Sequence, residues 1–139
     1  MNIEKPEGED DRFRYRERIW PLDSEELKSR MKKFTHDCVK LAADLPKSVL
    51  GGVVRGQLIR RGTSTAANYR AVCIAQSKAA FASKMSITLE ECDESWFWIK
   101  FSIDENLVDR DSSTSLMREA EKRTRICAAS RRTSSERRD

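Results

Sequence analysis

Residues 24–45 read SEELKSRMKKFTHDCVKLAADL, and the fold is decided here. Leu27, Met31, Phe34, Cys38, Leu41 and Leu45 recur at alternating spacings of four and three. At about 100° per residue that spacing puts all six side chains on one face of a helix. Asp23 or Ser24 can cap its start, with Pro21 just before. Glu25 and Glu26 stand in the first turn, where the helix dipole favours carboxylates. Pro46 ends the helix, because the residue before a proline avoids helical angles.

Three more helices follow. The second starts near Lys47 or Ser48 and runs to about Ile74. The third begins at Ser77 and turns near Asn106, with an inward stripe of Phe81, Met85, Thr88, Cys92, Trp96, Ile99 and Ile103. The fourth, from Ser112 or Ser113 to Ser130, carries a thin stripe of Leu116, Ala120, Thr124 and Cys127 among charges. Long helices with short turns favour antiparallel neighbours, so the expected fold is all-α, an up-and-down antiparallel four-helix bundle over residues 23–130.

The whole chain of 139 residues is one domain's worth, 38% hydrophobic and 36% charged with 5 Gly and 3 Pro. That composition excludes collagen-like and linker-dominated chains. No apolar run approaches the roughly 18 residues of a membrane span, and the first twenty residues contain no secretory signal. Cys38, Cys73, Cys92 and Cys127 form no CxxC pair, which points to a cytoplasmic protein with reduced thiols. Residues 1–22 mix six acids with five bases and are expected to form a flexible charged N-terminal arm. Its Phe13, Tyr15, Ile19 and Trp20 are placed to dock against the domain or a partner. Residues 131–139 form a basic C-terminal tail with Arg131, Arg132, Arg137 and Arg138.

Two helix faces are unusual. On the third helix Phe97, Trp98 and Phe101 point away from the core stripe, with Ile87 joining them beside Glu90 and Glu94. Exposed apolar area of that size marks a partner surface; the plain alternative is that the fourth helix or the N-terminal arm covers it. On the second helix Leu50, Val53, Val54, Gln57, Arg61, Ser64, Asn68, Ala71, Val72 and Ala75 fall roughly within one stripe. Gln57, Arg61, Ser64 and Asn68 then lie in or beside the core and need partners, which Glu90, Asp93 or Glu94 can supply. The small-residue run Gly62 to Ala67 allows close helix approach. A phosphate site using Thr63, Ser64, Arg60 and Arg61 is the sharper alternative, but there is no GxxxxGK[ST] loop and no preceding strand.

Gln57-Leu58-Ile59-Arg60-Arg61-Gly62-Thr63-Ser64, Ala67-Asn68-Tyr69-Arg70, Lys84-Met85 and Glu90-Glu91-Cys92-Asp93-Glu94-Ser95-Trp96-Phe97-Trp98 together resemble a known family. It is the four-helix-bundle family of the 23S ribosomal RNA intervening-sequence proteins, and the likeness covers about residues 26–130. The resemblance implies a homopentamer with no established catalytic activity. A structurally related protein, the accessory variability determinant of diversity-generating retroelements, is a basic pentamer that works with a reverse transcriptase and nucleic acid. The chain departs from the family at Ala71 and Val72, where relatives often carry a Glu, and at Arg61, where many carry a Ser.

No catalytic residues emerge. His36 is followed by Asp37, but no nucleophile is placed beside them. The cysteines fall one per helix, without the close pairing of structural zinc ligands. Glu90, Glu91, Asp93 and Glu94 lack the Glu-x-x-His pairs of carboxylate metal sites in bundles. No metal and no cofactor is expected.

Charge is segregated along the chain, although its total is only +4. Between Asp44 and Glu90 there are seven bases and no acid; from Glu90 to Asp111 there are eight acids and two bases. The expected function is therefore a non-enzymatic homo-oligomer, pentameric by resemblance, that binds RNA or DNA, or a reverse transcriptase-like partner, through basic patches. Lys47, Arg55, Arg60, Arg70, Arg131 and Arg132 are the candidate nucleic-acid contacts. Ile87, Phe97, Trp98 and Phe101 are the candidate oligomer interface, and no membrane is involved. The alternative is a structural or protein-interaction oligomer in which helix-two bases pair with helix-three acids.

Overall fold

The computed structural model describes residues 24–136, with side chains described for 25–132. The N-terminal arm and the last three residues of the tail lie outside the described residues. Four helices account for the fold, and no strand occurs among the described residues: α1 (Ser24–Asp44), α2 (Val49–Cys73), α3 (Lys78–Asp104) and α4 (Arg110–Glu136). Consecutive helices pack against each other, while α1 and α4 touch over a much shorter stretch. The chain is an all-α four-helix bundle, tight along three seams and loose along the fourth. Its last helix runs six residues past the expected end at Ser130.

The boundaries follow from local chemistry. Ser48 caps α2 by accepting from the Gly51 N–H at 3.0 Å, and Ser77 caps α3 by accepting from Ala80 at 3.1 Å. Asp109 does the same for α4, accepting the Ser112 N–H at 2.9 Å; that bond holds its carboxyl below the usual range. The end of α3 is a Schellman turn: Asn106 adopts φ 55°, its N–H reaches the Ile103 carbonyl, and the Leu107 N–H reaches back to Ser102. Arg55 satisfies the end of α1, its guanidinium donating to the carbonyls of Ala42, Leu45 and Pro46. The Pro46 carbonyl also explains Gly51, since a Cβ there would run into it.

Every member of the α1 stripe is buried. One cluster gathers Leu27, Met31, Tyr69, Phe81, Met85 and Cys92, among others. A second holds Phe34, Leu41, Leu45, Leu58, Ile99 and Ile103, with Trp96, Trp98 and Phe101 packed against it. On α3 the inward positions are as expected except that Trp96 is only half-buried.

The core face of α2 differs from the expected stripe. Gly51, Val54, Leu58, Gly62, Thr65, Tyr69 and Val72 are buried, whereas Leu50 and Val53 are exposed. Apolar residues lie all round this helix, so its periodicity selects no face. Leu58 and Tyr69 outweigh the polar residues one position away. Thr65 satisfies its hydroxyl on the Arg61 carbonyl, and Gly62 admits α1 so closely that a Cβ would sit 2.7 Å from Cys38 Cβ.

Candidate interaction surfaces

The polar α2 residues expected in or beside the core, Gln57, Arg61, Ser64 and Asn68, are half-buried at its edge, with Arg61 facing α3, whereas Val54, Val72 and Ala75 of the same stripe are buried. Arg61 is the centre of this edge. Its Nη1 donates to Glu91 at 3.3 Å, and its Nε forms an ion pair with Glu94 at 2.5 Å. Glu94 belongs to the expected polar network; Glu91 was not among its candidates. Glu90 is exposed and lies apart, because one step along α3 turns a side chain through about 100°. Ser64 spends its hydroxyl on the carbonyl of Arg60. Gln57 and Asn68 are half-buried, with no side-chain hydrogen bond among the described residues. The network is thus an Arg61–Glu91–Glu94 cluster at the rim of the bundle rather than a six-residue chain through its core.

Apolar side chains flank this cluster. Phe97 is 56% exposed, and its ring stacks on Phe101 with centroids 6.0 Å apart. Trp98 meets both rings edge-on, at 5.0 Å from Phe97 and 5.7 Å from Phe101. Trp98 and Phe101 are half-buried with their inner edges on the core, whereas Ile87, Leu50 and Val53 are exposed. Because α2 and α3 run antiparallel, Leu50 and Val53 lie at the same end as the three aromatics. α4 does not cover Phe97.

The basic candidates separate into two kinds. Lys47, Arg60, Arg70 and Arg132 are exposed with no acid partner among the described residues, and Arg131 is exposed with its Nε on the Ser86 hydroxyl at 2.7 Å. Arg55 is half-buried, its guanidinium engaged at the α1 terminus. Across the bundle Lys32, Lys40, Arg118 and Lys122 are also exposed without an acid partner among the described residues.

The feature that the sequence pattern did not expose is Arg123 on α4. It is 1% exposed, with its guanidinium 4.6 Å over the Phe34 ring. Nη1 meets Glu119 at 2.6 Å, and Nη2 donates to the Arg30 carbonyl. Arg30 also reaches Glu119, at 2.7 Å. Burial works against the ionised Glu119, but the hydrogen bond from Arg30 and the charges of Arg123, Arg30 and Lys122 outweigh it and hold its carboxyl low. The signal available was Arg123's register, three residues after Ala120 and four before Cys127. Beside this latch a cleft of about 580 Å³ opens between α1 and α4.

The four cysteines are buried and unbridged, with Cys92 and Cys127 sulfurs 3.8 Å apart. Burial pushes the Cys38 thiol up to about 12. Contact with Cys92, together with burial, raises Cys127. Such thiols pack as small apolar groups rather than react. No group of three or more His, Cys, Asp or Glu converges on a metal-sized site among the described residues, and no helix among them is long and apolar enough to cross a membrane.

Residues 25–129, spanning all four helices, match the model of the 23S rRNA-intervening sequence protein family. The chain belongs to that family. A solved Bacteroides thetaiotaomicron protein of unknown function, from the S23 ribosomal protein family, is similar in structure. It shares 26% identity at a TM-score of 0.70, covering 78% of this chain and 97% of the other. Comparison with curated proteins finds no match. Neither the family's description nor that of the solved relative names an enzymatic activity. Within this member of the 23S rRNA-intervening sequence family, the α2/α3 edge carries the very segments on which the sequence likeness rests.

Proposed function

We propose that this chain is a non-enzymatic homo-oligomer, pentameric by its resemblance to the family, that assembles through the α2/α3 edge and presents exposed basic side chains to nucleic acid. One observation carries the proposal. The edge places the Arg61–Glu91–Glu94 cluster between exposed Phe97 and Ile87, with Leu50 and Val53 alongside, a large apolar surface with a polar centre. Aromatic anchors beside a paired Arg suit an interface better than open solvent. A ring of five requires heterologous contacts, in which this edge meets a different face of the next copy. Val39 on α1 and Ile59 on α2, both exposed, are apolar candidates for that role.

Assembly multiplies the basic surface. Lys47, Arg60, Arg70 and the tail arginines would be repeated around the ring, which attracts a polyanion more strongly than one subunit does. Fluorescence anisotropy with mixed-sequence RNA and DNA oligonucleotides at two salt concentrations tests this half. Binding at low salt that weakens as salt rises is expected, and replacing Arg60 and Arg70 together by Ala weakens it further. Absence of binding at low salt, or binding indifferent to salt, contradicts the electrostatic reading.

The second reading, an assembly with no nucleic-acid role, draws on Arg61 itself. There a helix-two base is spent on helix-three acids. An oligomer that ignores both oligonucleotides would favour it.

A further inference from the structure

The loose α1/α4 seam contains two polar defects, and both line one cleft. Glu119 Oε1 receives Arg123 Nη1 at 2.6 Å and Arg30 Nη2 at 2.7 Å. One carboxylate therefore answers two guanidiniums, leaving one positive charge without a counter-ion at the cleft wall. The next acid along α1, Asp37, is held by Lys33 at 2.7 Å. Arg123 is 1% exposed, and its Nε–H has no acceptor among the described residues. A buried cationic donor without an acceptor is costly and calls for one.

Ser113 is the second defect. Thr65, Thr88, Ser95, Ser102 and Ser130 are equally buried, and each donates its hydroxyl to the carbonyl four residues back. Ser113, 1% exposed, has no such partner. It lines the same cleft as Arg123, ten residues away along α4, a rise of about 15 Å. Lys40 lines it too, with Asp44 one turn further along α1; neither has an ion-pair partner among the described residues, and the cleft's four bases outnumber its three acids by one.

We infer that the α1/α4 cleft binds a chain of phosphoryl groups, with Arg30 and Arg123 holding one end and Ser113 and Lys40 the other. The Arg123 Nε–H is covered as it stands, so a phosphoryl oxygen accepts it only when the guanidinium turns toward the cleft, with Arg30 still held by Glu119. The separation of the two orphaned groups selects an extended ligand with several acceptor oxygens, which a lone carboxylate is not. Arg118 and Lys122 line the adjoining surface hollow, where Asp111 and Glu119 balance them. Such oxygens belong equally to a short polyphosphate and to a nucleic-acid backbone. The backbone case rests on the function proposed above, whereas the polyphosphate case stands without it.

Isothermal titration of the full chain with tripolyphosphate and, separately, with a short single-stranded RNA distinguishes these sources. Tripolyphosphate should bind saturably at low salt. Ser113→Ala and Lys40→Ala should each weaken it about tenfold, the effect of one hydrogen bond or ion pair to a charged group. Lys100→Ala, on α3 and outside the cleft lining, should leave it unchanged, and Arg123→Met should abolish it with the helical circular dichroism retained. If Arg123→Met does not fold, the Ser113 and Lys40 variants decide alone. RNA binding weakened by the same cleft variants assigns the backbone as occupant; tripolyphosphate binding alone assigns a small ligand. No binding of either probe overturns the site, as does tripolyphosphate binding that the cleft variants leave intact. RNA binding lost in Arg60→Ala but untouched by the cleft variants, with no tripolyphosphate binding, overturns the cleft and leaves the basic-surface reading standing.

Discussion

Glu119 and Arg123 carry opposite expectations although they touch. Replacing Glu119 by Ala leaves Arg30 and Arg123 facing each other, one of them buried, and should cost about 3 kcal/mol. Arg123→Met removes the buried charge along with its need for a partner and should change stability by less than about 1 kcal/mol. Urea midpoints at one fixed protein concentration read both. Glu119 also makes stability depend on acid. Its folded-state pKa lies below the unfolded value of about 4.3, so the unfolded chain binds the proton first as pH falls. The Glu119 contribution is complete above about pH 5 and is lost as pH drops through the lowered value. Glu119→Gln should flatten that part of the acid limb in urea midpoints taken from pH 6 to pH 3. Little of this is legible in sequence, where an Arg within a charged helix reads as solvated. Only its register betrayed it.

Helix α1 announced itself because its apolar stripe, Leu27 to Leu45, stands against a mostly polar remainder, and all six stripe residues are buried. Helix α2 announced its existence but not its face. With Val49, Leu50, Val53, Val54, Leu58 and Ile59 spread around it, the contrast that fixes an orientation is missing. Glycine supplied what periodicity did not. A Cβ at Gly62 would lie 2.7 Å from Cys38 Cβ and 3.0 Å from its sulfur, so Gly62→Ala should force α1 and α2 apart and cost about 2 kcal/mol despite its better helix propensity. A Cβ at Gly56 meets nothing within 4 Å, so Gly56→Ala should gain up to about 1 kcal/mol. Thermal or urea unfolding of the pair separates a helix contact from a plain propensity effect. The turn at Asn106 was legible for the related reason that Asn tolerates the left-handed backbone it adopts there.

Across the whole molecule, the run of seven bases between Asp44 and Glu90 is not one surface. Folding spends Arg55 on the carbonyl end of α1 and Arg61 on Glu91 and Glu94, while Lys47, Arg60 and Arg70 remain exposed. Linear charge therefore overstated the basic patch. It also concealed the α1/α4 side, whose Lys40, Arg118 and Lys122 are scattered in sequence. Of the three aromatics expected to point away from the core, Phe97 stays exposed, whereas Trp98 and Phe101 are half-buried with their inner edges on the core, because neighbouring rings on one helix face lean toward the nearest apolar surface. Phe97→Asp changes an exposed side chain, so it should leave helical circular dichroism intact while breaking the assembly. Light scattering of the full chain at micromolar concentration reads that assembly as a mass. Five copies of a 16.0 kDa chain, about 80 kDa, are predicted for the unaltered protein, with collapse toward one copy in Phe97→Asp; a clean 16.0 kDa monomer for the unaltered protein would contradict it.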